Sequence, residues 1–479
     1  MTPTPGRVLA LIAALMSLAP NLAPNPASAA GASPIDVAGL IDPQRQVAAP
    51  GCVAGAFRRG ELVAEGASGA ADLSKGVSLT PATRLYAGSV SKQFTALALA
   101  KLALAGRISL DDEVQTYVPE FPRYASKVTL RMLMHHVSGV RDSLDLLALA
   151  GVETSRTPMQ DALRLLYLQK RPNFTPGTKF SYSNGGYLLL AEVIERASGM
   201  PFQDYMRQTI LDPLGMSHSF FLSTLPAPGF MAHGYVPGTN GPNANGFVVK
   251  DTYPDFSGSG GLVTTLDDMA KYDRDVVVLK RVVTPAAEKV LTEPGLFNDG
   301  TTVIMTGTEE AYAGGLAIGP HRGLKVIEHG GAAEGFLAHY IRIPDRGLEV
   351  VVLCNRGDVR PAAVADRLIE AIEGPILAPV PHREPQRREA PPSGPLAPGR
   401  YVSDELAATW QVEVRDGAIT ATVSSDWPTR QRPPASFTFK RTASGGYSAE
   451  GVALVADADG NGFTLDTGRS SGLVFKRVP

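Results

Sequence analysis

Two cysteines in 479 residues leave no material for a disulfide-dense scaffold or for a zinc module with four cysteine ligands. Neither sign of charge dominates, because 45 Lys and Arg face 47 Asp and Glu, for a net charge of −2. A basic nucleic-acid footprint is therefore excluded at this level, and so is an acidic tail. Charged residues are scarce at 19%, but hydrophobic residues reach 44%, which excludes global disorder and leaves ample core-forming material. After residue 23 there is no long apolar run. The length exceeds that of one ordinary domain and predicts two or three. The 49 glycines and 38 prolines predict many turns and at least one linker.

Arg7 is the only charge ahead of the mostly apolar run from Val8 to Ala23. Small residues at Ala27 and Ala29 then fit a cleavage site, so residues 1–29 read as a secretory signal. A membrane anchor is the alternative, but Pro20, Asn21 and Pro24 leave the run too short to span a bilayer. The expected location is periplasmic or secreted, with no integral membrane segment in the mature form.

Two strands joined at Arg59-Gly60 fit 51–67, and apolar residues at helical spacing predict a helix over 89–105 that Gly106 ends. A second amphipathic helix fits 187–197. The Gly-, Pro- and Asn-rich stretch 222–261 reads as a long surface loop or lid. Strands are expected over 324–329, 338–343 and 348–353, then a helix over 362–372. Eight prolines over 375–399 and a basic cluster at 383–388 make 376–399 a linker. Beyond it, Trp410, Val412 and Val414 alternate with polar residues, and Asp416-Gly417, Gly445-Gly446 and Asn461-Gly462 are hairpin signals, so 400–479 reads as a small all-β barrel.

Ser89-Val90-Ser91-Lys92 opens the first strong helix, and its i, i+3 spacing puts a hydroxyl and an amine on one face. A serine needs a base to become a nucleophile, and a lysine in a closed pocket loses its proton more readily. Ser181-Tyr182-Ser183-Asn184 offers a phenol and an amide two residues apart, ahead of the second helix. Glu328-His329-Gly330-Gly331-Ala332 ends a predicted strand, where bare glycines admit close backbone approach and an amide can serve as an oxyanion donor.

With these three motifs the sequence resembles the serine β-lactamase and penicillin-recognising superfamily, in the branch of class C β-lactamases, D-aminopeptidases, DD-peptidases and related esterases. The matching stretches are 86–96, His136-Val137-Ser138-Gly139, Tyr182-Ser183-Asn184 and His329-Gly330-Gly331, in the expected order within about residues 35–375. The resemblance implies an α+β fold, an antiparallel sheet flanked by helices plus an all-helical subdomain, spanning 30–375 ahead of the barrel. It implies Ser89 as the acylated nucleophile, Lys92 and Tyr182 as a coupled base, and Asn184 as a substrate-orienting amide. The amides of Ser89 and Ala332 would form the oxyanion hole, with His329 and Gly331 lining the substrate. No cofactor and no metal are called for.

Many relatives carry lysine where this chain has His329. Histidine, with a reference pKa of about 6.5, need not be a cation, which weakens the case for a dedicated β-lactamase. The resemblance makes the strands holding Cys52 and Cys354 antiparallel neighbours, so a disulfide is conceivable after export. Two buried free thiols are nonetheless expected, because cross-strand geometry is demanding. The start of the barrel, 401–406, loosely resembles lipocalin-like barrels appended to D-aminopeptidase-like proteins, which suggests a part that shapes the substrate entrance.

Other motifs read as structure. Gly468-Arg469-Ser470-Ser471-Gly472 has the spacing of a nucleophile elbow but is followed by a strand, so it is taken as a hairpin turn. Asp457 to Gly462 lacks the glutamate of a calcium loop. His136 is expected to be a hydrogen-bonded core residue, and Thr265 a helix cap. The sequence thus predicts an exported serine hydrolase acting on a small-molecule or short-peptide substrate, an amide with D-residues or an ester. β-Lactam hydrolysis, DD-carboxypeptidase activity and a non-catalytic penicillin-binding sensor are the alternatives, and the oligomeric state is left open.

Overall fold

A computed structural model of the protein describes residues 35–479 apart from 45, 47, 155–156, 223–228, 239–245, 252–254 and 381–389. The signal at 1–29 and the basic cluster at 383–388 lie outside the described residues. Strand β1 (Cys52–Arg58) turns into β2 (Glu61–Ser68), and β3 (Ala311–Tyr312), β4 (Ala317–His321), β5 (Leu324–Ala333), β6 (Phe336–Ile343) and β7 (Leu348–Cys354) follow late in the chain. All pair antiparallel in one sheet, in the order β3-β4-β5-β6-β7-β1-β2. Strands β1 and β7 are central and covered on both faces, so they read as nearly unbroken apolar runs. Helices α1 (Val37–Ile41) and α7 (Pro361–Glu373) cover one face, burying Val37, Ile41, Leu368 and Ile369 against Val350 and Val352.

Helix α2 (Ser91–Leu104) lies in the main core on the other side, between the sheet and a helical layer of α3 (Ser143–Leu149), α4 (Met159–Tyr167) and α5 (Asn184–Ser198). It is apolar nearly all round, as expected of a helix buried in the core of a large domain. The sequence placed its start at Ser89. Residues 88–90 instead form a 3-10 turn, because Gly88 takes φ +54° and a Cβ there would meet the Ala332 amide nitrogen at 2.7 Å. Helix α6 (Leu266–Arg274) is capped by Thr265, whose Oγ1 accepts from the Asp268 amide.

The C-terminal part is a closed eight-stranded barrel: β8 (Gly399–Ser403), β9 (Ala408–Arg415), β10 (Ala418–Ser425), β11 (Ser436–Arg441), β12 (Tyr447–Ala449), β13 (Val452–Ala456), β14 (Gly462–Asp466) and β15 (Leu473–Val478). Trp410 fills it, with its ring 5.1 Å from Phe437 and 4.9 Å from Phe475. The barrel does not hang on a free tether. One hydrophobic core runs from Leu146 and Leu149 of α3 into Leu406, Trp410 and Trp427. Trp410 Nε1 donates to the Leu149 carbonyl at 3.0 Å, and the buried pair Arg141–Glu405 closes at 2.7 Å. The proline-rich segment is pinned at both described ends, with Leu377 buried behind the sheet and Leu396 buried against the barrel.

Two further readings change. The stretch 222–261 is not a surface loop throughout, because Tyr235–Pro237 pairs with Phe247–Val249 and Ser257 and Ser259 are buried. Its glycine and proline content masked the two short strands. Cys52 and Cys354 are not free thiols but form a disulfide, since the β1–β7 register sets them directly opposite each other. Among the described residues no helix is long and apolar enough to cross a membrane.

Unreduced, denatured protein should therefore titrate no thiol. The Cys52→Ser/Cys354→Ser variant should lose about 2–4 kcal/mol of stability, read from the denaturant midpoint of the oxidised protein against the variant.

Candidate active site

The 3-10 turn at Gly88–Val90 presents Ser89 half-buried at the N-terminus of α2, and one turn later Lys92 is completely buried. Lys92 Nζ has three neighbours: Ser89 Oγ at 3.1 Å, Asn184 Oδ1 at 2.9 Å and the Ser259 carbonyl at 2.6 Å. Burial drives its pKa well below the ordinary lysine value. The Asp142 carboxylate opposes that shift and the Arg469 guanidinium adds to it. A neutral amine has two hydrogens and one lone pair. Two of the three contacts are to obligate acceptors, Asn184 Oδ1 and a carbonyl, so in the neutral form the two hydrogens can serve them and the lone pair can face the Ser89 hydroxyl.

Tyr182 comes from the loop before α5, and its hydroxyl hydrogen-bonds to Ser89. Desolvation holds the phenol well above its usual pKa, so it stays protonated. Its ring centroid lies 4.8 Å from Lys92 Nζ. Asn184 is the first residue of α5, and Ser183 caps that helix by accepting from the Gly186 amide. His136 sits behind this loop with its ring 4.2 Å from Tyr182. Its Nδ1 accepts from the Ser183 amide at 3.2 Å, and burial keeps it neutral, so it is a hydrogen-bonded core residue.

Strand β5 brings the third motif alongside. A Cβ on Gly331 would stand 2.1 Å from the Ala87 carbonyl, so only glycine lets the Ala332 amide lie beside the Gly88–Ser89 turn. A small cavity of about 130 Å³, mostly apolar, opens between Ser89, Asn184, Ser259, Ala332, Leu144 and Phe256. His329 is buried, and burial together with the Lys92 charge lowers its pKa to about 4. Its Nδ1 donates to the Gly330 carbonyl at 2.6 Å and its Nε2 accepts from the Tyr312 hydroxyl at 3.1 Å. At neutral pH it is an uncharged residue with both ring nitrogens engaged, unlike a lysine at that place. Among the described residues no group of three or more His, Cys, Asp or Glu is arranged to hold a metal ion.

The structure thus brings Ser89, Lys92, Tyr182, Asn184, His329, Gly331 and Ala332 into one region. It adds residues that the sequence reading missed. Asp142 is fully buried and accepts from the Asn184 backbone at 2.7 Å and from Asn184 Nδ2 at 2.9 Å. Those bonds turn the amide so that its oxygen faces Lys92. Its other oxygen caps α3 through the Leu144 and Asp145 amides. An aspartate just ahead of the apolar run Leu144 to Leu149 is a cap signal that could have marked this residue. Ser259 supplies only its carbonyl, and Arg469 arrives from the barrel, with its guanidinium 5.1 Å from the Tyr182 ring centroid. Neither has a local sequence signal.

Comparison with known proteins agrees with this architecture. The sequence model of the family described as Beta-lactamase matches residues 37–373. A D-aminopeptidase from Cereibacter sphaeroides is 32% identical over 324 residues, which are 67% of this chain and 60% of that protein. The chain therefore spans less than two thirds of the length of that relative. Among solved structures, the octameric penicillin-binding protein homologue from Pyrococcus abyssi superposes with a TM-score of 0.60 at 22% identity, covering 89% of this chain and 96% of that one. The D-amino acid amidase from Ochrobactrum anthropi SV3 gives a TM-score of 0.59 at 20% identity, covering 70% and 98%. At these identities the two structures show a shared fold.

Asp142 opposes the depression of the Lys92 pKa, so removing its charge should lower that pKa further. In Asp142→Asn, which keeps an acceptor for Asn184, the acid limb of Ser89 labelling by a fluorophosphonate should move to lower pH. A pH profile identical to wild type would reduce Asp142 to a purely structural cap.

Proposed function

Because this chain belongs to the Beta-lactamase family, we propose that it is a serine hydrolase that cleaves amides of D-residues through an acyl-enzyme on Ser89. The observation that carries this reading is the buried Lys92 amine, held between two obligate acceptors and 3.1 Å from Ser89 Oγ. Ser89 Oγ attacks the carbonyl carbon as its proton passes to Lys92 Nζ. The developing oxyanion is met by the amides of Ser89 and Ala332. The carbon–nitrogen bond then breaks, and the departing amine takes a proton from the Tyr182 hydroxyl, which recovers one from Lys92. A water repeats the sequence on the ester and frees Ser89. Asn184 orients the substrate and Lys92 together, and the neutral His329 and Gly331 line the acyl site.

The D-residue preference rests on two relatives, one named as a D-aminopeptidase and one as a D-amino acid amidase. Carboxylic esters fit the same chemistry. A neutral His329 offers no permanent charge to a substrate carboxylate on its side of the site, which argues against a dedicated β-lactamase. We further propose that residues 1–29 direct export to the periplasm or medium. In this reading 30–375 form the hydrolase part, 376–399 the connection and 400–479 the barrel, and the substrate is a small molecule or short peptide.

A panel of D- and L-aminoacyl p-nitroanilides, short-chain nitrophenyl esters and nitrocefin tests this reading. D-aminoacyl anilides should be turned over fastest, and Ser89→Ala should lose about 10³-fold or more in kcat/KM. Full turnover by Ser89→Ala, or no labelling of Ser89 by a fluorophosphonate, would refute it.

A further inference from the structure

The turn between β14 and β15 is the segment dismissed in the sequence as a false nucleophile elbow. It is fastened to the rim of the active site on both sides of Arg469. Thr467 Oγ1 bonds to the Asp145 carboxylate, and Ser470 Oγ accepts from the Asp142 amide at 3.1 Å. The Ser471 amide donates to Asn173 Oδ1 at 2.9 Å, Arg141 Nη2 donates to the Ser471 carbonyl at 2.9 Å, and Arg171 Nη2 to the Gly472 carbonyl at 2.7 Å. Asn173 Nδ2 holds the Arg469 carbonyl itself. The backbone is therefore fixed, but the Arg469 side chain is exposed and forms no ion pair among the described residues. The neighbouring acids hydrogen-bond to residues of the turn, Asp145 with Thr467 and Asp466 with the Gly468 amide at 2.7 Å, and the Arg469 charge reaches Asp145 through space.

That guanidinium forms part of the wall of a cleft of about 900 Å³, shared with Tyr182, Phe180, Asn173, Thr306 and a second exposed cation, Lys179. The cleft opens on the Tyr182 side of Ser89, whereas the small apolar cavity opens on the Ala332 side. If Tyr182 returns the proton to the departing amine, as in the reading above on which this inference rests, the cleft takes the leaving group and the small cavity takes the acyl residue. We propose that Arg469, carried by the barrel, is a specificity-determining residue that binds a carboxylate on the leaving group. The preferred substrate is then a D-residue joined to an amino acid with a free carboxylate. An ammonium in this cleft would meet two like charges and be disfavoured.

The test compares a D-alanyl dipeptide carrying a free C-terminal carboxylate with its C-terminal carboxamide, measured as kcat/KM by chromatography of the released amine. Wild type should favour the carboxylate about tenfold or more, mostly through KM. The ratio should fall to near one in Arg469→Ala, drop below one in Arg469→Glu, and remain partly in Arg469→Lys. An unchanged ratio in the alanine and glutamate variants overturns the inference, as does a wild-type preference for the carboxamide. A wild-type enzyme that cleaves the neutral anilide but neither dipeptide overturns it and leaves the hydrolase reading standing. Failure of Ser89 to take a fluorophosphonate overturns both.

Discussion

The constraint on which the site depends is the complete burial of one amine. Lys92 is the fourth residue of a Ser-x-x-Lys turn, and its side chain is shut off from bulk solvent. Burying an uncompensated ammonium costs several kcal/mol after relaxation, so the protein either pairs it or lets it lose its proton. Here two neutral acceptors and one buried carboxylate beyond them hold the amine between these limits. Each supporting feature can be traced to this need. Helix α2 must be apolar nearly all round to run through the core. Asp142 must be buried to act through Asn184. The glycines at 88 and 331 must lack side chains so that β5 can close over the N-terminal turn.

The barrel takes part in the same arrangement and is not an appendage. Its attachment uses buried polar groups that are costly to leave unpaired: Arg141 is bonded to Glu405 and Gln169, and Gln169 donates in turn to the Glu405 carbonyl. Arg141 is also the residue before Asp142, so the chain that positions the lysine and the chain that anchors the barrel are adjacent. Ser470 of the barrel bonds to the Asp142 amide, and Asp142 in turn holds Asn184, so the barrel is linked to the site by hydrogen bonds. The proline-rich segment therefore sets the path of the chain, while docking sets the geometry.

Much of this was legible in the sequence, and the limits have physical causes. The strands β5 to β7, the bodies of α2 and α5, and the three motifs each carry a local signature, such as an apolar run or a glycine pair, and the family resemblance carried by the ordered motifs is what assigned Ser89, Lys92, Tyr182, Asn184 and Ala332 to one site. The disulfide was missed because a strand pattern gives faces but not the exact register, and only the register puts Cys52 opposite Cys354. Asp142 was missed because one side chain serves two purposes and the visible one, capping a helix, is common. Arg469 was missed because its position depends on docking between segments about three hundred residues apart, and its surroundings in sequence are those of an ordinary turn.

The distribution of cations follows from the same buried amine. A permanent charge at position 329 would sit in the low-dielectric region beside Lys92, where mutual repulsion is little screened. That repulsion already contributes to holding His329 at about 4. A base that must be neutral tolerates such a neighbour, but a lysine that must cycle between charged and neutral forms becomes harder to protonate, and its return of a proton to the leaving group depends on the protonated form. Placing the cation on a water-exposed hairpin changes the balance. Solvent screens Arg469 from Lys92, so it is a weaker influence there than Asp142, yet a ligand that enters the cleft and displaces that water meets its full charge. The barrel thus carries recognition on an exposed side chain, whose charge acts on the lysine less strongly than that of Asp142.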